Sequence, residues 1–392
     1  MKLAYYPGCS LDASAIEYNL STQKTASVLG VELEEIPGWG CCGATSAHST
    51  NKLLSVALPA RNLAIAEKEG LDVLAPCAAC YSRSRATEHL VREDAELADG
   101  EPDEQLTATL VRRNAPQHQR AVLYVHGWSD YFFQTHLADF WNKQGFDFYA
   151  LDLRRYGRNL RPGLFAGYIT DLDHYGSELD EAYRLIGDDG HDLITVMGHS
   201  TGGLVVSLWV SQTTKLVNGV VLNSPWLDTG GPEVVRRALA PLVVGVANRK
   251  PATALQVNDS GLYFRSVSAG LDGEWPVDPD YKSNRAFVVR FGWARAILVG
   301  QAKVASGLEI GTPVLSMMSA RSDLAITEWD ETVKTVDMVL DVDHLAATSW
   351  RLGDLVTVAR IPDGMHDLIL SPRPVRDHVF AEISRWLKVY VR

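Results

Sequence analysis

Residues Gly198-His199-Ser200-Thr201-Gly202 set a serine among small residues, directly after the apolar run LITVM and before GLVVSLWVSQ. A serine on a sharp strand-to-helix turn has its hydroxyl pushed clear of the sheet, with a helix N-terminus behind it to meet developing negative charge. Such a residue is suited to nucleophilic acyl transfer, provided a base and a carboxylate come from elsewhere in the chain. Gly364-Met365-His366-Asp367 follows the run LVTVARI and precedes a final helical stretch, so His366, of eleven histidines, is the one placed to act as base. His199 reads as a packed neighbour of the serine and His126 as structural. For the carboxylate, Asp337 in VDMVLDVDHL is favoured, one helix and one strand before the histidine, with Asp323, just beyond TPVLSMM, and Asp341 as alternatives. His126-Gly127-Trp128 closes the strand AVLYV. The expected oxyanion donors are therefore the backbone N–H groups of Trp128 and Thr201.

A second constellation has different chemistry. All five cysteines, Cys9, Cys41, Cys42, Cys77 and Cys80, fall before residue 81, with the spacing C-x31-C-C-x34-C-x2-C. An odd count with an adjacent pair is poor material for disulfides and better material for ligation in a reducing compartment. Five soft thiolates with glycine-rich flanks suit an iron–sulfur cluster. A mononuclear zinc site would use four ligands and leave one cysteine unexplained.

The elements that must carry these residues divide into two modules. The stretch EDAELADGEPDE is acidic, holds Gly100 and Pro102, and lacks hydrophobic period. We read residues 1–97 as a small α/β cysteine-rich domain, 98–105 as a solvated linker and 106–392 as a larger α/β domain. In the first, KLAYYPG and LDVLAPC are strand candidates and Ala13 to Leu29 is helical in pattern. In the second, TATLVRR, AVLYVHG, FDFYALD, LITVMGH, VNGVVLN, TPVLSMM and LVTVARI alternate with helical stretches, which implies a parallel sheet covered on both faces. Residues 226–310 break that alternation. WLDTGGPEVVRRALAPLVVGVANR and FVVRFGWARAILVGQAKVA read as helices of an inserted cap. The net charge of −11 argues against nucleic acid as a partner. No run approaches the roughly 18 apolar residues of a membrane span, and MKLAYYPGCS does not resemble a signal peptide, so a cytoplasmic protein is expected.

Residues 106–392 resemble the monoacylglycerol lipase and lysophospholipase-like branch of the α/β hydrolases, through VLYVHGWSDY, YALDLRRYGRN, GHSTGG, VLNSPW and the GMHD loop. In that branch the acid lies about thirty residues before the histidine, and the match falls on Asp337. The resemblance implies an α/β-hydrolase fold with a helical cap and hydrolysis of a carboxylic ester bearing an acyl chain or similar apolar group, without a cofactor. Amide cleavage by the same residues stays open. Related epoxide hydrolases and dehalogenases use a carboxylate nucleophile, and this chain has Ser200. The family usually has more sheet at the front of the domain; here TATLVRR follows the linker directly, so a short first edge is expected. Residues 1–95 resemble one cysteine-rich CCG motif of the B-type subunit of heterodisulfide reductase, through YYPGCSL, GWGCCGATSAHST and PCAACYSR. That resemblance implies a noncubane iron–sulfur cluster for disulfide electron transfer, held by Cys9, Cys41, Cys42, Cys77 and Cys80. Members of that family carry two such motifs and this chain one, which implies a redox partner subunit. The alternative to a hydrolase with an auxiliary module is therefore an iron–sulfur redox subunit fused to a hydrolase.

Overall fold

The computed structural model describes residues 1–42, 52–93, 106–161, 163–230, 233–257 and 259–391. The predicted linker 98–105 and the GATSAHST that follows Cys42 lie outside the described residues. The chain divides into two compact units, residues 1–104 and 105–392.

In the first unit, β1 (Lys2–Tyr5), β2 (Glu32–Glu35) and β3 (Val73–Leu74) form a parallel sheet in the order β2-β1-β3. Leu3 faces Leu33, and Tyr5 faces both Glu35 and Leu74. Around them are α1 (Gly8–Ala13), α2 (Ile16–Val28), α3 (Lys52–Lys68) and α4 (Ala78–Glu93). Ala4, Tyr6, Ile36, Cys42, Ala66 and Cys80 make the buried core. Because the strands are parallel, the loops that follow them all leave from one edge of the sheet. Those loops carry the cysteines.

The second unit is built on seven strands in the order β10-β9-β8-β7-β5-β6-β4. They are β4 (Thr109–Arg112), β5 (Arg120–Val125), β6 (Phe146–Asp152), β7 (Leu193–His199), β8 (Val217–Asn223), β9 (Val314–Ser319) and β10 (Val356–Ile361). Side chains alternate across the sheet, so one strand feeds two cores. From β5, Ala121, Leu123 and Val125 enter a core beneath α6 (Gly176–Asp188), α7 (Thr201–Gln212) and α10 (Phe291–Ser306). Val122 and Tyr124 enter the opposite core, with Trp141 of α5 (Thr135–Lys143) and Ile383 and Trp386 of α12 (Arg373–Tyr390). Burial on both faces explains why these strands read as continuous apolar runs.

The sheet is not wholly parallel. β4 runs antiparallel to β6, with Leu110 opposite Leu151, and forms a four-residue front edge. Only residues 113–119 join it to β5. A parallel connection needs about a dozen residues or more to cross back, so the chain can only turn round. Between β8 and β9 lie α8 (Glu233–Ala247), α9 (Leu262–Val267) and α10. The two longer helices were expected in the cap. The six-residue α9 was not, being too short to show a helical period.

Candidate active site

Ser200 sits between β7 and α7 with φ 52° and ψ −118°, a conformation a serine adopts only when its surroundings force it. A Cβ placed on Gly202 would come within 2.2 Å of the His126 carbonyl oxygen and 2.6 Å of that of Val125. Glycine at 202 thus lets α7 start hard against the end of β5. The Ser200 N–H donates to the Asn223 carbonyl at 3.0 Å, and its carbonyl accepts from the N–H groups of Gly203 and Trp226, which fixes the turn.

The structure brings Ser200, His366 and Asp337 together. His366 Nε2 is 3.1 Å from Ser200 Oγ, and His366 Nδ1 is 2.9 Å from Asp337 Oδ2. The relative exposures are 6% for Ser200, 3% for His366 and 0% for Asp337, so this chain of polar groups is shielded from water. The second Asp337 oxygen accepts from the N–H groups of Val339 and Leu340, both at 2.8 Å. With both oxygens bonded, the carboxylate is fixed in orientation and selects the histidine tautomer that carries its proton on Nδ1. The other carboxylates are engaged elsewhere. Asp323 is exposed and accepts from the Ala325 N–H, while Asp341 caps α11 (Val342–Ser349) and contacts His344.

Thr201 is the first residue of α7, so its N–H is among those with no partner inside the helix. Trp128 follows the end of β5, and its ring packs against Trp293 and Phe287 of the cap region, at centroid distances of 3.9 and 5.7 Å. A small cavity beside the Ser200 turn is lined by His126, Gly127, Tyr156, Thr201, Gly202 and Trp293, among others. His126 Nε2 accepts from the Leu153 N–H at 3.1 Å, a structural use. His199 is fully enclosed, with Nδ1 donating to the Asn223 carbonyl at 3.1 Å. Burial pulls its pKa below the ordinary histidine value, although Asp367 opposes the shift.

In the first unit the loop after each strand delivers thiols. Cys9 lies in α1 after β1, Cys41 and Cys42 follow β2, and Cys77 and Cys80 stand at the start of α4 after β3. None of the five is in a disulfide, and the Cys42 and Cys80 sulfurs are 3.3 Å apart in the core. Burial, then the neighbouring Cys42 and Cys77, pushes the Cys80 thiol well above its usual range. Burial also acts on Cys77, but bonds from the Cys80 and Ala79 amides and from Ser10 outweigh it and leave this thiol lowered. Gly8, at φ 70°, lies so close that a Cβ there would reach 2.6 Å from the Cys80 sulfur. Crowded, buried thiols cannot ionise together without a positive charge among them. A cationic iron–sulfur core meets that need, so the donor set fits such a group.

Residues 116–320, just over half of the chain, match the hydrolase family model described as Serine aminopeptidase, S33. The chain belongs to this family. Its fold is shared with a soluble variant of monoglyceride lipase from Saccharomyces cerevisiae, at 14% identity and a TM-score of 0.53, covering 73% of this chain and 92% of that one. Residues 3–83 match the CCG cysteine-rich domain model. Over 113 residues the chain is 41% identical to the 8-methylmenaquinol:fumarate reductase membrane anchor subunit of Wolinella succinogenes. Over 98 residues it is 26% identical to an Archaeoglobus profundus protein that is like the B-type subunit of heterodisulfide reductase. These alignments take in 29% and 25% of this chain and 37% and 33% of the relatives, so it spans about a third of the length of each. The chain thus joins a hydrolase of this family, with an α/β-hydrolase fold, to a CCG domain. Among the described residues, no helix is long and apolar enough to cross a membrane.

Within this hydrolase, sequence reasoning missed the groups that brace the site. The Asn223 carbonyl holds both Ser200 N–H and His199, while its side chain donates to Asp367 Oδ1 at 2.6 Å and accepts from the Leu368 N–H at 3.1 Å. One residue therefore ties the serine turn to the histidine loop. The available signal was its place at the C-terminal end of β8, in VLNSPW. Tyr263 of α9, whose ring stands edge-on to His366 at 5.5 Å, gave no signal at all.

Proposed function

We propose that residues 106–392 form a serine hydrolase that cleaves carboxylic esters of apolar acyl groups, with residues 1–97 as an auxiliary module. The observation that carries this is the contact chain Ser200 Oγ, His366 and Asp337, at 3.1 and 2.9 Å. Ser200 attacks the ester carbonyl as His366 Nε2 takes its proton, and the Trp128 and Thr201 N–H groups receive the oxyanion. Collapse breaks the C–O bond, and His366 gives the proton to the leaving alcohol. Water then attacks the acyl-enzyme with His366 again as base, releasing the acid and restoring Ser200. Asp337 stabilises the imidazolium in both halves.

Ester rather than aminopeptide cleavage is the reading supported by the aromatic residues around Trp128. Trp128, which would supply an oxyanion donor, packs with Phe287 and Trp293, and Trp293 with Trp226, an apolar cluster that suits an acyl chain. Turnover of p-nitrophenyl butyrate and octanoate, compared with leucine and alanine p-nitroanilides, tests this directly. The expected result is ester kcat/KM at least about a hundredfold above either anilide. Comparable or faster anilide cleavage contradicts it.

For residues 1–97 we propose an iron–sulfur cluster held by Cys9, Cys41, Cys42, Cys77 and Cys80, with a redox subunit as partner. The delivery of five cysteines, none in a disulfide, by three loops at one edge of the sheet supports it. When bound, such a cluster supplies one-electron transfer. Iron and acid-labile sulfide analysis of protein purified without oxygen should find several iron atoms per chain, with broad visible absorption that Cys42→Ser weakens. Less than one iron per chain, with zinc in its place, contradicts the cluster. We place the protein in the cytoplasm, where thiols stay reduced.

A further inference from the structure

Four consecutive residues after β5 each hold the cap region. The Trp128 ring packs against that of Trp293 at a tilt of 40°, and Ser129 Oγ accepts from the Phe287 N–H at 3.2 Å. Asp130 Oδ1 accepts from Lys282 Nζ at 2.8 Å, and the Tyr131 hydroxyl accepts from the Asp278 N–H at 2.9 Å. The segment that carries an oxyanion donor is thus gripped along its length by residues 278–293. Its backbone is under tension as well, since Ser129 is a non-glycine residue at φ 52°.

The Asp130–Lys282 pair is the unusual member. Lys282 is 5% exposed and Asp130 1%, and the ammonium lies 5.5 Å from the ring centroids of Phe133 and Tyr263. Tyr263 in turn packs on His366. A buried ion pair is weak evidence for stability, because desolvating two charges offsets most of their attraction, whereas it fixes geometry well. Here it joins the cap to a point two residues from Trp128 and one ring away from the base.

We infer that Lys282 is a positioning residue. Its ammonium holds Asp130, and through it the Trp128 N–H, where the oxygen of the tetrahedral intermediate forms. Oxyanion stabilisation is then complete only while the cap is seated. This rests on the serine-hydrolase reading above.

The test uses the full chain with Lys282→Met, Asp130→Asn and the double variant, assayed with p-nitrophenyl butyrate. Affinity for butylboronic acid, whose serine adduct puts an oxygen in the oxyanion position, is measured alongside. Each single change should lower kcat about 10- to 100-fold, the scale of an ångström-sized misplacement, with KM within about twofold of wild type. Boronate affinity should fall by a similar factor. The double variant removes both charges of the pair and leaves Asp367, within 4.8 Å of Asp130, bonded to Asn223 as before, so it should melt closer to the wild-type temperature than either single variant while kcat and boronate affinity stay low. A double variant with wild-type kcat and boronate affinity overturns the inference, as does a rise in KM with kcat unchanged. If the wild type neither turns over the ester nor takes a fluorophosphonate on Ser200, the hydrolase reading itself has failed and this inference falls with it.

Discussion

Replacing Ser200 with alanine should remove ester turnover to the limit of detection, a loss on the order of a millionfold if the group acts as a unit with its base. Both the backbone and the chemistry lead to this expectation. Ser200 is held at φ 52° by hydrogen bonds from both sides of the turn, and its hydroxyl is the one in contact with His366 Nε2. Alanine can occupy the same backbone with the same strain, so the fold should survive and the melting temperature should change little. Initial rates with p-nitrophenyl butyrate and a thermal melt check the two halves separately. Retained turnover in a folded variant excludes Ser200 as nucleophile.

The second large effect concerns the carboxylate. Asp337→Asn keeps the size of the side chain but removes the charge that faces His366 Nδ1 at 2.9 Å. An amide nitrogen there favours the tautomer with its proton on Nε2, which cannot accept from Ser200. The expected loss in kcat is about ten thousandfold. One Asp337 oxygen also holds the Val339 and Leu340 N–H groups, so a moderate fall in melting temperature should accompany it. Asp323→Asn is the matched control, because the Asp323 side chain is exposed and accepts only from the nearby Ala325 N–H, while its bond to the Asp337 carbonyl is made by the backbone and is kept, so it should change kcat less than about twofold. Reversal of these two results assigns the acid to Asp323.

The serine turn was legible because its chemistry restricts the sequence: Gly202 leaves no room for a Cβ beside the His126 carbonyl, so the small residues stand where a reader can see them. The five central strands, β5 to β9, were legible because burial on both faces makes them apolar almost throughout. β2, with the sequence ELEE, was not, since glutamate is poor strand material and only its pairing with β1 makes it one. The antiparallel sense of β4 depends on the length of a connection rather than on any residue type. Spacing favoured Asp337 but left Asp323 and Asp341 as alternatives, because the direction each side chain takes is set only in the fold. Most opaque of all was the pair Asp130 and Lys282, two ordinary charged residues 152 positions apart that meet only in the folded core.

The cysteines were legible by type and count, but their meeting point was not. Five soft donors before residue 81 suggest ligation on composition alone. That they converge follows from the parallel order β2-β1-β3, which sends three loops to one edge of the sheet. One chain therefore carries a hydrolase and a CCG domain, each with its own chemical requirements.

The central claim, that Ser200 is the nucleophile of an acyl-transfer site, is tested most directly by mapping where a fluorophosphonate binds. The full chain is treated with the probe, digested and analysed by mass spectrometry, with residual ester turnover measured on the same sample. One adduct per chain is expected, on the peptide containing Ser200, appearing in step with the loss of turnover. Turnover that persists without an adduct, or that is lost through an adduct on another residue, would contradict the claim.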